Sequence, residues 1–420
     1  MNAVGVDHTR TDADVMTEAE NLPATTLVDD SSGVMPAVAA PSFAPPRVLI
    51  KPERSDSPPK VLMRRFAFLD GLRALSAQAI VWHHIAFYGP LSDIAYPLIP
   101  TVIDVLAEYG RMAVQIFLVI GGFIAAQGLS RAVPKSGAEL TRQIAKRYWR
   151  LAWPYFAILM IAVLANGVAS QWMTHDSIAA TPTVPQLIAH VFFLQTLLGY
   201  ESLSSGLWYL AIDLQLSLMT LILCSAVGVV ARSCGRKEST HRWSFVVFFP
   251  IAAAALFSWN RDPDHDIWAG YYFGSYFLGI ATAWVLSDQI PRAWYIAAVA
   301  LAAAALAYDF RIRLAIALVT CLVITFAGIT GGLERWLRSP VMDYLARTSY
   351  SLFLIHFPIC LVINAILSEP AANRPQLALA GMVLAWFVSC LAAIGFYHGV
   401  EKASLCRVAA IHRLAARPVS

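Results

Sequence analysis

The chain predicts an all-α fold: a polytopic membrane helix bundle of about ten transmembrane helices plus a short re-entrant segment. Three observations carry this expectation. Hydrophobic residues make up 58% of the 420 residues and charged ones only 14%, whereas soluble domains carry roughly 45–50% and about 25%. Mean hydropathy is +0.59. The apolar residues also fall in runs close to the ~20 needed to cross a bilayer as a helix, with basic clusters recurring between them.

The elements follow in order. Residues 1–63 are rich in Ala, Pro, Ser, Asp and Thr, with acidic residues early (Asp12, Asp14, Glu18, Glu20). They lack the basic n-region and apolar h-region of a secretory signal. With so little to bury they are expected to form a disordered cytoplasmic tail. Apolar runs then occupy 68–89, 111–129, 151–168, 207–231, 243–259, 267–287, 293–309, 314–330, 348–367 and 377–398. A further run, 187–199, has 13 residues and reads as re-entrant or buried rather than spanning.

Charge sets the direction. Basic clusters lie at Arg64/Arg65, from Lys135 to Arg150, from Arg232 to Arg242, at Arg335/Arg338 and after Lys402. If all face the cytoplasm, both termini are inside and the crossings are even in number. Ten spans satisfy every cluster provided 187–199 does not cross. Arg311 and Arg313 are then left on the outer side. Residues 64–403 form the membrane domain and 404–420 a basic cytoplasmic tail. No solenoid-type period or two-fold duplication is visible. The six cysteines show no CxxC or Cys/His spacing, so neither a disulfide nor a metal site is expected.

Ionisable residues inside apolar helices are functional candidates, because each costs at least ~2.5–3.5 kcal/mol at mid-membrane. The first run holds Asp70, Arg73, Gln78, His83 and His84. Asp70 and Arg73 are three apart and share a face. Arg73 and His84 are eleven apart, ~20° from three whole turns, so they share a stripe about 16 Å long, while His83 points ~100° away. Imidazole suits general acid–base work near neutral pH. Lys146, Arg147 and Arg150 line the entry to the 151–168 run beside Trp149, Trp153 and Tyr155. They read either as a phosphate site or as a cytoplasmic anchor with an aromatic belt. Trp208, Asp213 and Gln215 fall in one apolar helix, where Asp213 is either functional or snorkelling; Ser349, Ser351 and His356 fall in another. Glu401 reads as a solvated helix end or a site residue.

In order and spacing these segments resemble the acyltransferase-3 family of membrane acyltransferases. Its opening helix, with an Arg, ten residues and a His, matches Arg73 and His84, with Asp70 in the leading position. Its Arg-Arg-x-x-Arg motif with a following proline is similar to Lys146, Arg147, Arg150 and Pro154. Its Ser-Gly-Phe segment resembles Gly121, Gly122 and Phe123, and its Trp-Ser-Leu-x-x-Glu segment Trp208, Tyr209, Leu210 and Asp213. Its Tyr-Ser-x-Tyr-Leu-x-His segment resembles Tyr350 to His356, and its closing Tyr…Glu resembles Tyr397 and Glu401. The departures are Lys146 for arginine, Asp213 for glutamate, Gly121 for serine, and Gln115 at an acidic position. The resemblance covers about 66–403.

The resemblance implies a membrane O-acyltransferase in the bacterial inner membrane, moving an acyl group (acetyl the first choice) from acyl-CoA to a hydroxyl of a cell-surface or exported saccharide. Acyl-CoA is then a co-substrate, with no tightly bound cofactor and no nucleic-acid partner; the partners are the bilayer, a saccharide acceptor and polysaccharide-synthesis machinery. On it, His84 is the base, Arg73 holds the donor or steadies an oxyanion, and Asp70 orients Arg73. Lys146, Arg147 and Arg150 meet the phosphates of CoA. Trp208, Asp213 and His356 are further candidates for binding the acceptor or orienting His84. No hydrolase-like domain follows the last helix, so transfer is expected to finish within the membrane domain. The rival reading is a transporter or flippase for a saccharide or small anion, since buried His, Arg and Asp also suit a proton relay; a purely structural scaffold leaves the Arg73/His84 stripe unexplained.

Overall fold

The computed structural model describes residues 66–235 and 240–404, all within one compact unit, Met63–Ser420. The expected N-terminal tail and the Arg64/Arg65 cluster lie outside the described residues, as does the C-terminal tail beyond Ser404. The described residues are helical, without strands. In chain order the helices are α1 Ala67–Phe87, α2 Pro90–Ala95, α3 Pro100–Tyr109, α4 Ala113–Arg131, α5 Gly137–Ala169, α6 Val184–Val191 and α7 Leu207–Ser233. They continue with α8 Thr240–Phe257, α9 Ala269–Leu286, α10 Arg292–Tyr308, α11 Ile312–Ile329, α12 Pro340–Ala371 and α13 Pro375–Phe396, closed by a π-helical turn, Tyr397–Glu401.

Each of the ten apolar runs is a helix. Seven helical runs are long and apolar enough to cross a membrane, among them Pro100–Arg131, Gly137–Ala169 and Pro340–Ala371. The other three are α1, diluted by its ionisable residues, α9, diluted by Gly and Tyr, and α10, which has 17 residues. Ten is thus an approximate count of crossings. The 187–199 run contributes only α6, of 8 residues, about 12 Å long against a ~30 Å hydrocarbon core. It ends in turns through Gly199, and so does not cross.

Local chemistry explains where the long helices begin. The Ser136 side chain accepts the Glu139 N–H at 3.3 Å, and Ser339 accepts the Met342 N–H at 3.1 Å, satisfying donors that a helix start leaves free. A Thr183/Gln186 capping box opens α6. At 33 and 32 residues, α5 and α12 run about 50 Å, longer than the hydrocarbon is thick. The surplus of α5 is its basic first half, whose face the span then carries inward.

Hydropathy marked nothing across 90–109, where the structure has α2, a 3-10 turn and α3. Prolines at 90, 97 and 100 break the segment into pieces too short to register as a span. Gly89 makes the bend at φ +100°, with no room for a side chain against Asn364, and Asn364 Oδ1 accepts the Leu91 N–H at 3.1 Å.

α9 is the centre of the bundle. Its residues from Ala269 to Trp284 are all buried, as expected of a helix that is apolar all round. It meets α4 backbone to backbone: a Cβ on Gly122 would strike the Tyr276 carbonyl, and one on Gly279 the Val119 carbonyl. Without a hydrophobic drive between helices in lipid, such small-residue contacts hold the pair. α13 exposes Val383, Leu384, Phe387 and Leu391, the apolar face that lipid would cover.

Candidate functional site

Two cavities enter the bundle from opposite ends. The first, about 280 Å³, lies at the end where α5 and α12 begin and is lined by α1, α4, α5, α7, α12 and the 397–401 turn. Four arginines (Arg73, Arg147, Arg150, Arg347) and three carboxylates (Asp70, Asp213, Glu401) reach it. Arg147 donates from Nη2 to Asp213 Oδ2 at 2.9 Å and from Nε to Ser217 Oγ at 3.1 Å, a fork that ties α5 to α7. Arg73 Nη1 is 3.9 Å from Asp70 Oδ1, one turn earlier. Ser351 donates to Glu401 at 2.5 Å. The turn that carries Glu401 is π-helical, a bulge common at functional sites.

The second cavity, about 820 Å³, opens at the other end and is lined by His83, His84, Arg111, Ser205, Trp208, Tyr271, Tyr272 and Arg313, among others. A hydrogen-bonded chain of side chains runs from its wall into the protein, and for neutral imidazoles its proton order follows from the partners. His356 Nδ1 lies 3.0 Å from the Leu352 carbonyl, which can only accept, so this nitrogen carries the proton. His356 Nε2 is then a lone pair, and His84 Nδ1, 2.6 Å away with the rings 5° from coplanar, must donate to it. His84 Nε2 is therefore left as an acceptor. Ser205 Oγ, 3.0 Å away, supplies the hydrogen bond it now receives. For neutral rings the partners thus assign the tautomer: an imidazole whose basic nitrogen faces a cavity, with a hydroxyl on it.

Between the cavities stand three rings. Phe353 lines both, and Phe117 and Tyr209 close on it with centroid separations of 5.7 and 5.6 Å, themselves 5.8 Å apart.

A sequence model of the acyltransferase-3 family, described as an acyltransferase domain, matches residues 66–397. The chain belongs to the acyltransferase-3 family. Curated proteins and solved structures give no significant match. Family membership and the apolar helices make this a multi-pass membrane acyltransferase.

In this acyltransferase the residues singled out from the sequence divide between the cavities. Asp70, Arg73, Arg147, Arg150 and Asp213 line the first; His84 and Trp208 line the second, and His356 stands behind His84. Lys146 is exposed and outside the cavity lining. Asp213 is not a partner of His84, since Arg147 occupies it. His83 turns away, its Nδ1 3.2 Å from the Leu106 carbonyl. Sequence reading missed Ser205, Ser217 and Arg347. Ser205 sits in a loop just before α7, in the segment Ser202-Leu203-Ser204-Ser205, where no periodicity points; the serines before Trp208 were the available signal.

Proposed function

We propose that the protein moves an acyl group, acetyl in the simplest case, from acyl-CoA in the first cavity to a saccharide hydroxyl in the second. The observation that carries this is the orientation of His84: Nδ1 is held 2.6 Å from His356, and Nε2, the lone-pair nitrogen of the neutral ring, faces the second cavity 3.0 Å from the Ser205 hydroxyl. An acceptor hydroxyl displacing Ser205 would give its proton to Nε2 as its oxygen attacks the thioester carbonyl. The C–S bond breaks as the C–O bond forms, and the CoA thiolate takes the proton from the imidazolium. The products are an O-acyl sugar, CoA and neutral His84. His356, still accepting from Nδ1, holds the ring in place throughout.

The ~16 Å between Arg73 and His84 along α1 favours donor binding over oxyanion stabilisation for Arg73, because base and oxyanion sit within one tetrahedral centre. Arg73, Arg150 and Arg347 offer guanidinium forks to phosphate, with Asp70 steadying Arg73. Arg147 is committed to Asp213 and shapes the wall. A volume of about 280 Å³ is at the low end for ligand sites, so it suits the pantetheine arm, with the nucleotide outside against exposed Lys146. The thin arm would then displace the aromatic rings to bring its thioester to His84.

In this reading the basic end faces the cytoplasm of the inner membrane, with both termini there, and the acceptor comes from glycan-synthesis machinery at the far side. Transport has no observation of its own to favour it. The test is transfer by the purified protein in proteoliposomes from labelled acetyl-CoA, together with the ester content of the host's surface polysaccharide with and without the gene. Ester loss on deletion is expected. An unchanged glycan, with CoA neither released nor label moved, would remove the reading.

A further inference from the structure

Arg311 and Arg313 lie on the side opposite the basic clusters, against the usual charge bias of membrane proteins. The structure separates their roles. Arg311 is a staple: it donates to Asn260 Oδ1 and the Leu256 carbonyl, both at 2.8 Å, and lies 3.7 Å from Asp309. Its charge is answered and its forks are used.

Arg313 donates to the Asn260 carbonyl at 3.0 Å, and its guanidinium lies against Tyr271, 5.0 Å from the ring centroid. It makes no ion pair with a described residue, and neither does Arg111, in the 3-10 turn Gly110–Met112 just before α4. Both line the second cavity with His84. Asp266 is the one carboxylate on that lining among the described residues, and its field is felt by Arg313, so one carboxylate stands against the two guanidiniums of Arg111 and Arg313. The cavity that holds the base therefore carries uncompensated positive charge. It also carries aromatic faces: Trp208 and Tyr272 lie 5.8 Å apart at 34°. Such surfaces, apolar in face and polar at the tip, suit the C–H face of a sugar ring.

Resting on the reading of His84 as the acceptor's base, we infer that the acceptor is an anionic saccharide. Its carboxylate or phosphate sits between Arg111 and Arg313, its ring lies against Trp208 and Tyr272, and a hydroxyl points to His84 Nε2. Unpaired arginine at this end of the bundle recognises the charge; the rings recognise the sugar.

The test reads binding without any donor. The full chain in lipid nanodiscs is titrated calorimetrically with methyl β-glucuronide, glucose 6-phosphate and methyl β-glucoside. One or both anionic probes should bind about tenfold or more tighter than the glucoside. A preference for the glucuronide assigns a carboxylate sugar, and a preference for the phosphate a phosphosugar. The preference should shrink as salt rises from about 0.05 to 0.5 M, which needs no variant. In Arg111→Gln/Arg313→Gln it should fall to about twofold or less. Equal affinity for all three probes, no binding of either anion at millimolar concentration, a salt-independent preference, or a preference surviving in the double variant would each overturn the inference. Failed acyl transfer in proteoliposomes would instead count against the catalytic reading and leave this result standing.

Discussion

The two cavities hold their polar groups by opposite means. At the basic end the groups are charged and paired, Arg147 with Asp213 across α5 and α7, and Arg73 with Asp70 one turn apart on α1. At His84 they are neutral, and a single line of hydrogen bonds runs from the Leu352 carbonyl through His356 and His84 to Ser205. The difference follows from solvent. Where a cavity opens near charged helix ends, ions are tolerable if partnered. Deeper in, an imidazole chain satisfies every ring nitrogen without a net charge, and on the proposed mechanism His84 would become charged only while it held the acceptor's proton. On the proposed reading one end meets the anionic donor, while the other sets a proton-moving imidazole chain beside the arginines that meet the acceptor.

Substitutions can break this contrast, in descending order of effect. His84→Ala should lower acyl transfer by about 10²–10⁴-fold with normal membrane insertion, read by labelled acetyl transfer in proteoliposomes; His83→Ala should be much milder. Equal losses for the two would dissolve the assignment. Because transfer needs neutral His84, kcat/KM should fall on acidification, and the residual rate of His84→Ala should lose that limb. His356→Ala should cost about 10–100-fold, whereas His356→Gln, whose amide oxygen can still accept from Nδ1, should recover part of it; no difference between them would mean that His356 only fills space. Arg147→Ala strands Asp213, whose side chain is 16% exposed, and should cost about 1–3 kcal/mol of stability, seen as a lower melting temperature in detergent. Arg147→Met/Asp213→Leu should regain the stability. Lys146→Ala, at an exposed position, should raise KM for acyl-CoA only about two- to threefold, an effect that vanishes at high salt.

Much of the fold was legible because lipid imposes a length and a period. The ten apolar runs are helices, and the α1 stripe needed only the helical repeat to set His84 and Arg73 on a common face. What stayed hidden was held by long-range pairing. Nothing in the sequence near Asp213 names Arg147, 66 residues earlier; the reading left Asp213 between function and snorkelling. The partner of His84 was equally unreadable, since His356 is 272 residues away. The 90–109 region escaped because its prolines cut it below span length, although α3 runs on into α4 as Pro100–Arg131. Glu401, read as a possible solvated end, instead meets Ser351, because a π-helical turn swings it inward.

Phe117, Tyr209 and Phe353 have a consequence beyond chemistry. Two water-accessible vestibules aligned across a bilayer would be a leak, and a proton-motive force would drain through it. A plug of contacting rings gives an ion nothing to solvate it, so the barrier of the surrounding lipid continues through the enzyme. On the proposed reading, a slender donor arm that parts the rings would fill the gap as it does so, and the membrane would not be short-circuited.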